Sequence, residues 1–80
     1  MQETMIEQSM ILLLGDTGIS IMQAISKGIQ DVESIHYFTG IPRPCIAGRL
    51  SALENIRMIN KTSLGYVLER HGKEMLAALS

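Results

Sequence analysis

Apolar positions along the chain fall into blocks whose spacing marks a series of short helices. From Glu3 to Leu14, the residues Ile6, Met10, Leu13 and Leu14 share one helical face, while Met5, Ile11 and Leu12 fall partly elsewhere. A helix is expected there, ending at Gly15. The run Gly15-Asp16-Thr17-Gly18 reads as a break, with Asp16 or Thr17 capping a second helix that extends to about Lys27. Ile21, Met22 and Ile25 form its inward side and Gly28 its stop. Ile29-Gln30 reads as a short strand. Asp31 then caps a helix over about Val32–Thr39, closed by Gly40 in the left-handed position that ends many helices. A tight turn through Ile41 and Pro42 leads into a helix running from Arg43 or Pro44 to Asn55. Its Ile46, Leu50 and Leu53, at i, i+4 and i+7, make one buried stripe.

Two helices meeting across a short turn that contains glycine form a helix-turn-helix pattern. The stretch from Asp31 to Ile59 resembles the core of winged helix-turn-helix transcription regulators of the broad MarR/ArsR-like kind. The resemblance rests on Thr39-Gly40-Ile41, then Arg43, Ile46, Leu50, Leu53-Glu54 and Met58-Ile59. It extends to a wing, with Lys61–Gly65 at the tip and Tyr66-Val67-Leu68 as the return strand, and to Arg70-His71-Gly72-Lys73-Glu74 opening a closing helix. It implies one domain over residues 1–80, mainly α with a small β-wing. The N-terminal helix would take 1–15, the helix-turn-helix 31–59, the wing hairpin 57–69 and the C-terminal helix 70–80. Two departures stand out. Pro42 occupies the place of the usual Ser or Thr cap. Arg43 precedes Pro44, which disfavours helical backbone at Arg43, so the second motif helix is expected to start one residue late.

Eighty residues are enough for one small domain with a thin core, and such chains often gain stability from a partner subunit. Apolar content of 46% argues against disorder. A single Cys excludes an internal disulfide and fits a reducing cytoplasm. No secretory pattern opens the chain, and the run Met10–Leu14 is too short to span a bilayer, so a cytoplasmic protein without membrane contact is expected. The net charge of −1 is unremarkable, but its distribution is not. Residues 1–41 carry Glu3, Glu7, Asp16, Asp31 and Glu33 against Lys27. Residues 42–80 carry Arg43, Arg49, Arg57, Lys61, Arg70 and Lys73 against Glu54, Glu69 and Glu74. Basic charge therefore gathers on the second motif helix, the hairpin and the closing helix, the footprint of a DNA-facing side on an acidic body.

An α-helix fits the major groove, and its early residues reach base edges. With Ile46, Leu50 and Leu53 buried, the outward positions are Arg43, Pro44, Cys45, Ala47, Gly48, Arg49, Ser51 and Ala52. Arg43 and Arg49 are candidates for guanine or phosphate. Ala47 and Gly48 would let the helix sit deep, or else mean weak sequence reading. At the hairpin tip, Lys61 suits phosphate or the minor groove, and Thr62 and Ser63 suit phosphate oxygens; the same residues also fit a plain loop. Leu64 has no role in DNA contact and is expected to fold back onto the core. Tyr37 should point outward and His36 should pack. Met5, Ile6, Met10, Ile11, Leu12, Leu13 and Leu14, with Met75, Leu76 and Leu79 on the closing helix, are the expected dimer contact. Cys45, in the first turn of a helix near two arginines, could serve as a redox sensor, though a Cys there is more often an ordinary small residue.

Cys45, His36 and His71 make no metal spacing, and no nucleophile–base pair or phosphate-binding glycine loop is present. Neither an enzyme nor a cofactor is expected. Three functions stay open: a sequence-specific regulator binding double-stranded DNA as a homodimer, a protein-interaction winged helix in a larger complex, and an architectural or replication-linked DNA binder with little sequence preference.

Overall fold

The computed structural model describes residues 15–79. The expected N-terminal helix, with Met5, Ile6, Met10, Ile11, Leu12, Leu13 and Leu14, lies outside the described residues. What is described is mainly helical, with a small two-stranded antiparallel sheet after the first three helices. Helix α1 covers residues 15–26, α2 Val32–Thr39 and α3 Arg43–Asn55. Strands β1, Ile59–Thr62, and β2, Gly65–Leu68, follow, and α4, Arg70–Leu79, closes the described chain.

One core joins these elements. Ile21, Met22, Ala24 and Ile25 enter from α1, Ile35 from α2, and Ile46, Leu50 and Leu53 from α3. Met58 and Ile59 enter at the start of the hairpin and Met75 from α4. No polar or charged side chain is among the buried ones described. The inward residues expected in α1 and α3 are thus the ones buried, because a helix brings i, i+3, i+4 and i+7 to one side.

Of the break expected at Gly15-Asp16-Thr17-Gly18, only Gly15 departs from helical backbone, with φ 65°. Residues 16–18 are already helical and Gly18 is buried. A glycine inside a helix costs only about 1 kcal/mol, less than α1 gains by burying Ile21, Met22 and Ile25. The helix ends where expected. Gly28 has φ 87°, its N–H reaches Ile25 O at 3.0 Å, and the Ile29 N–H reaches back to Ala24 O at 3.0 Å. These two bonds satisfy carbonyls that the last turn leaves unpaired.

Ile29-Gln30 is not a strand. Only the Gln30 carbonyl joins the sheet, accepting from Tyr66 N–H at 2.9 Å. The reciprocal bond comes from the Gln30 side chain, whose Nε2 donates to Tyr66 O at 2.9 Å. A side-chain amide thus does the work of a main-chain N–H, and the sheet has two strands rather than three. Gly65 makes this approach possible. A Cβ there would stand 2.8 Å from Gln30 Cβ and 2.9 Å from its carbonyl oxygen.

The hairpin pairs Ile59 with Leu68, Asn60 with Val67, Lys61 with Tyr66 and Thr62 with Gly65. Its base is closed by Glu69 N–H donating to Met58 O at 2.9 Å. Leu64, expected to fold inward, is 85% exposed instead. It occupies a two-residue turn between the strands, too far along the hairpin to return to the core. Among the described residues, no helix is long and apolar enough to cross a membrane.

Candidate nucleic-acid interface

The geometry of α2 and α3 is set by side chains that lock both ends of α2. At its start, Asp31 accepts from Ser34 N–H at 2.8 Å and from the Ser34 hydroxyl at 2.9 Å. These bonds favour the charged form, main-chain donor first, and hold the Asp31 carboxyl below its ordinary pKa. At its end, Gly40 has φ 76° and its N–H bonds to His36 O. Thr39 Oγ1 donates to Ile35 O at 2.6 Å and accepts from Ile41 N–H at 3.1 Å. The His36 ring, half-buried, puts Nδ1 2.7 Å from Ile41 O. A carbonyl only accepts, so Nδ1 must carry the proton. His36 packs, as expected, and its packed role is to pin the turn between α2 and α3.

Helix α3 begins at Arg43, the earlier of the two starts expected, so Pro44 does not delay it. Pro42 takes the cap position at φ −58° and ψ 142° with no side-chain bond. Its carbonyl still accepts the first helical bond, from Ile46 N–H at 3.1 Å. Pro44 sits in the first turn, where a missing N–H leaves nothing unpaired. Arg43 is tied to α2 through Glu33, whose Oε2 accepts from Arg43 Nε at 2.7 Å. The bond from Arg43 holds the Glu33 carboxyl below its ordinary pKa and raises that of Arg43.

Opposite the buried stripe of α3 lie Pro44, Gly48, Ser51 and Asn55, all exposed. Gly48 is at the middle of this face, and a Cβ there would meet nothing within 4 Å. The flank toward α2 carries Arg43 and Ala47, both exposed. The other flank carries Cys45, Arg49 and Ala52, which with Thr17, Pro44 and Gly48 line a shallow groove of about 300 Å³. Arg49, read from the sequence as outward, is half-buried on this flank. The outward face is therefore made of small side chains, with a cation at its leading edge.

At the hairpin, Lys61 is exposed, its ammonium 5.8 Å from the centre of the cross-strand Tyr66 ring. The Thr62 hydroxyl is spent on the tip itself: it donates to Gly65 O at 2.7 Å and accepts from Leu64 N–H at 3.2 Å. Ser63 is exposed at the turn. Of the closing-helix residues expected at a dimer contact, Met75 is buried in this chain's own core and Leu76 packs against it, leaving Leu79 37% exposed. The spacing of α4 could not reveal this, because the same stripe serves a core or an interface.

Two features escaped the sequence. One is the Glu33–Arg43 pair, which joins residues on different helices and has no local signature. The other is Phe38, which is 58% exposed on α2 beside Tyr37, itself 93% exposed as expected. Lys27 stands 5.7 Å from the centre of the Phe38 ring. Cys45 is exposed with a free thiol. Among the described residues, no group of His, Cys, Asp and Glu gathers that could hold a metal ion. No protein-family profile matches the chain, and no curated protein sequence does.

Proposed function

We propose that the chain is a winged helix-turn-helix DNA-binding protein, and that it regulates transcription as a homodimer. In this reading α3 is the recognition helix in the major groove, and the β1–β2 hairpin is the wing on the backbone or minor groove. The observation that carries the reading is the outward face of α3. It is bare at Gly48 and small at Ala47 and Ser51, with Arg43 at its leading edge. Such a face allows the helix backbone to approach base edges closely, and its early residues are the ones a groove-bound helix presents. Lys61 and Ser63 on the hairpin are placed for phosphate in the same reading, and Arg49 for the groove wall.

Selection of sites from a random duplex pool by the purified protein tests it. The expected result is an enriched pseudo-palindromic site whose affinity falls steeply with salt. Failure to enrich any sequence, with weak and salt-insensitive binding, would reject DNA recognition.

A second reading has its own observation. The exposed Tyr37 and Phe38 form the kind of aromatic surface that is enriched at protein interfaces. A protein-interaction module would use that surface, and Tyr37→Ser with Phe38→Ser would then abolish function while leaving DNA affinity unchanged.

A further inference from the structure

Building on the DNA-binding reading, we propose that Glu33 is a positioning residue for Arg43. A carboxylate on α2 holds the arginine's Nε–H and leaves its terminal amino groups to the guanine edge. The bond is direct, Arg43 Nε to Glu33 Oε2 at 2.7 Å. A guanidinium offers donors at Nε and at both terminal nitrogens, in a fixed plane. Occupying Nε from one side therefore fixes the plane and the direction of the remaining fork. That fork is the arrangement that pairs with the O6 and N7 acceptors of guanine. An unpaired arginine side chain would lose much rotamer freedom on reaching a base; one already held in place loses less.

Both backbones behind the pair are themselves held. Asp31 caps the turn of α2 that carries Glu33, and His36 with Thr39 pins the turn leading to Arg43. The pair is 55% and 70% exposed, so its contribution to folding is small. An exposed ion pair of little structural worth, with its cation in the first turn of α3, is well suited to a role in recognition. The negative charge has a second effect. Beside a duplex it repels phosphates, which weakens sequence-independent binding, while the base contact made through Arg43 remains. Glu33 thus raises discrimination from both directions.

The test measures affinity for the selected site and for an unrelated duplex, for wild type, Glu33→Ala, Glu33→Gln, Arg43→Ala and the double variant Glu33→Ala with Arg43→Ala. Thermal melts confirm that each is folded. Glu33→Ala is expected to weaken the selected site about fivefold and to tighten the unrelated duplex about twofold, so the ratio falls roughly tenfold. Glu33→Gln retains an acceptor for Nε and restores at least half of that loss on a logarithmic scale. In the Arg43→Ala background, Glu33→Ala no longer lowers the ratio, because there is no arginine to position.

The role is overturned by an unchanged ratio in Glu33→Ala, or by a loss that persists without Arg43. It is also overturned by tighter binding of the selected site, which would make Glu33 a latch, or by a Glu33→Gln that behaves like alanine. If the wild type selects no duplex at all, the DNA-binding reading itself falls, and the pair is then a helix-to-helix contact only.

Discussion

Arg57 is the one described non-glycine residue with positive φ, at 62°. It follows α3 in the position that glycine usually takes. Its N–H donates to Glu54 O at 3.0 Å, and the next N–H, of Met58, donates to Leu53 O at 2.9 Å. Both bonds need the left-handed turn, which costs a residue with a side chain roughly 1–2 kcal/mol. Arg57→Gly is therefore expected to raise stability by about 0.5 kcal/mol once the greater freedom of glycine in the unfolded chain is subtracted. Urea unfolding at matched conditions measures it. A lower midpoint would show that the Arg57 cation, beside the negative end of α3, contributes more than the turn costs. Gly72 makes the opposite case. It looks like a weak point in α4, yet it is buried, and a Cβ there would collide with the carbonyl oxygen of Met58 and lie 3.3 Å from Met22 Cε. That carbonyl already accepts from Glu69 N–H and cannot move away freely. Gly72→Ala should destabilise the fold by about 3 kcal/mol, at the upper end of overpacking effects, and push α4 off the hairpin base. A near-neutral result would mean that α4 shifts without loss.

Helix α2 depends on its first turn more than on its length, since eight residues make a marginal helix by themselves. The Asp31 cap gives it a pH dependence of definite sign. The Asp31 pKa lies below its ordinary 3.8 in the folded chain, lowered first by the Ser34 N–H and then by the Ser34 hydroxyl. A carboxyl depressed by folding stabilises the fold above its unfolded pKa, and that contribution is lost as pH falls through the folded value. The cap is thus intact at neutral pH and fails in the acid range below 3.8. Asp31→Asn keeps an acceptor but cannot titrate, so its melting temperature should fall less steeply than that of wild type as pH drops from about 4 into the more acid range. Parallel curves would remove Asp31 from the acid response. This element also marks what a sequence can and cannot reveal. The bounds of α2 and α3 were legible because caps and i, i+4 spacing act within a few residues. Ile29-Gln30 reads as a strand in the sequence because nothing local shows that the Gln30 side-chain amide replaces a main-chain donor. Of the proposed site, the outward positions of α3 were legible. The partner that orients Arg43 was not, since the two residues meet only when α2 and α3 pack.

At the scale of the whole molecule, the open quantity is how many chains act together. The described residues enclose their own core, and α4 contributes Met75 to it rather than to a partner. That leaves two apolar surfaces for association. One is Tyr37 and Phe38 on α2. The other is the surplus in Met5, Ile6, Met10, Ile11, Leu12, Leu13 and Leu14, outside the described residues and more than one helical face can hide. The second has more large apolar side chains in sequence, and burying each one in a two-fold contact would be worth roughly 1.5–3 kcal/mol. Tyr37 and Phe38, by contrast, lie on α2, the helix that adjoins Arg43. A single domain of this size makes few base contacts, and two copies about a two-fold axis would read half-sites roughly 34–36 Å apart. We expect a dimer by light scattering at micromolar concentration. Leu12→Glu with Leu13→Glu should give a folded monomer that binds one half-site weakly, while Tyr37→Ser with Phe38→Ser should remain dimeric. If the aromatic variant becomes the monomer and the leucine variant stays paired, the dimer forms through α2 instead, and α3 would then have to be read against a partner chain rather than a groove.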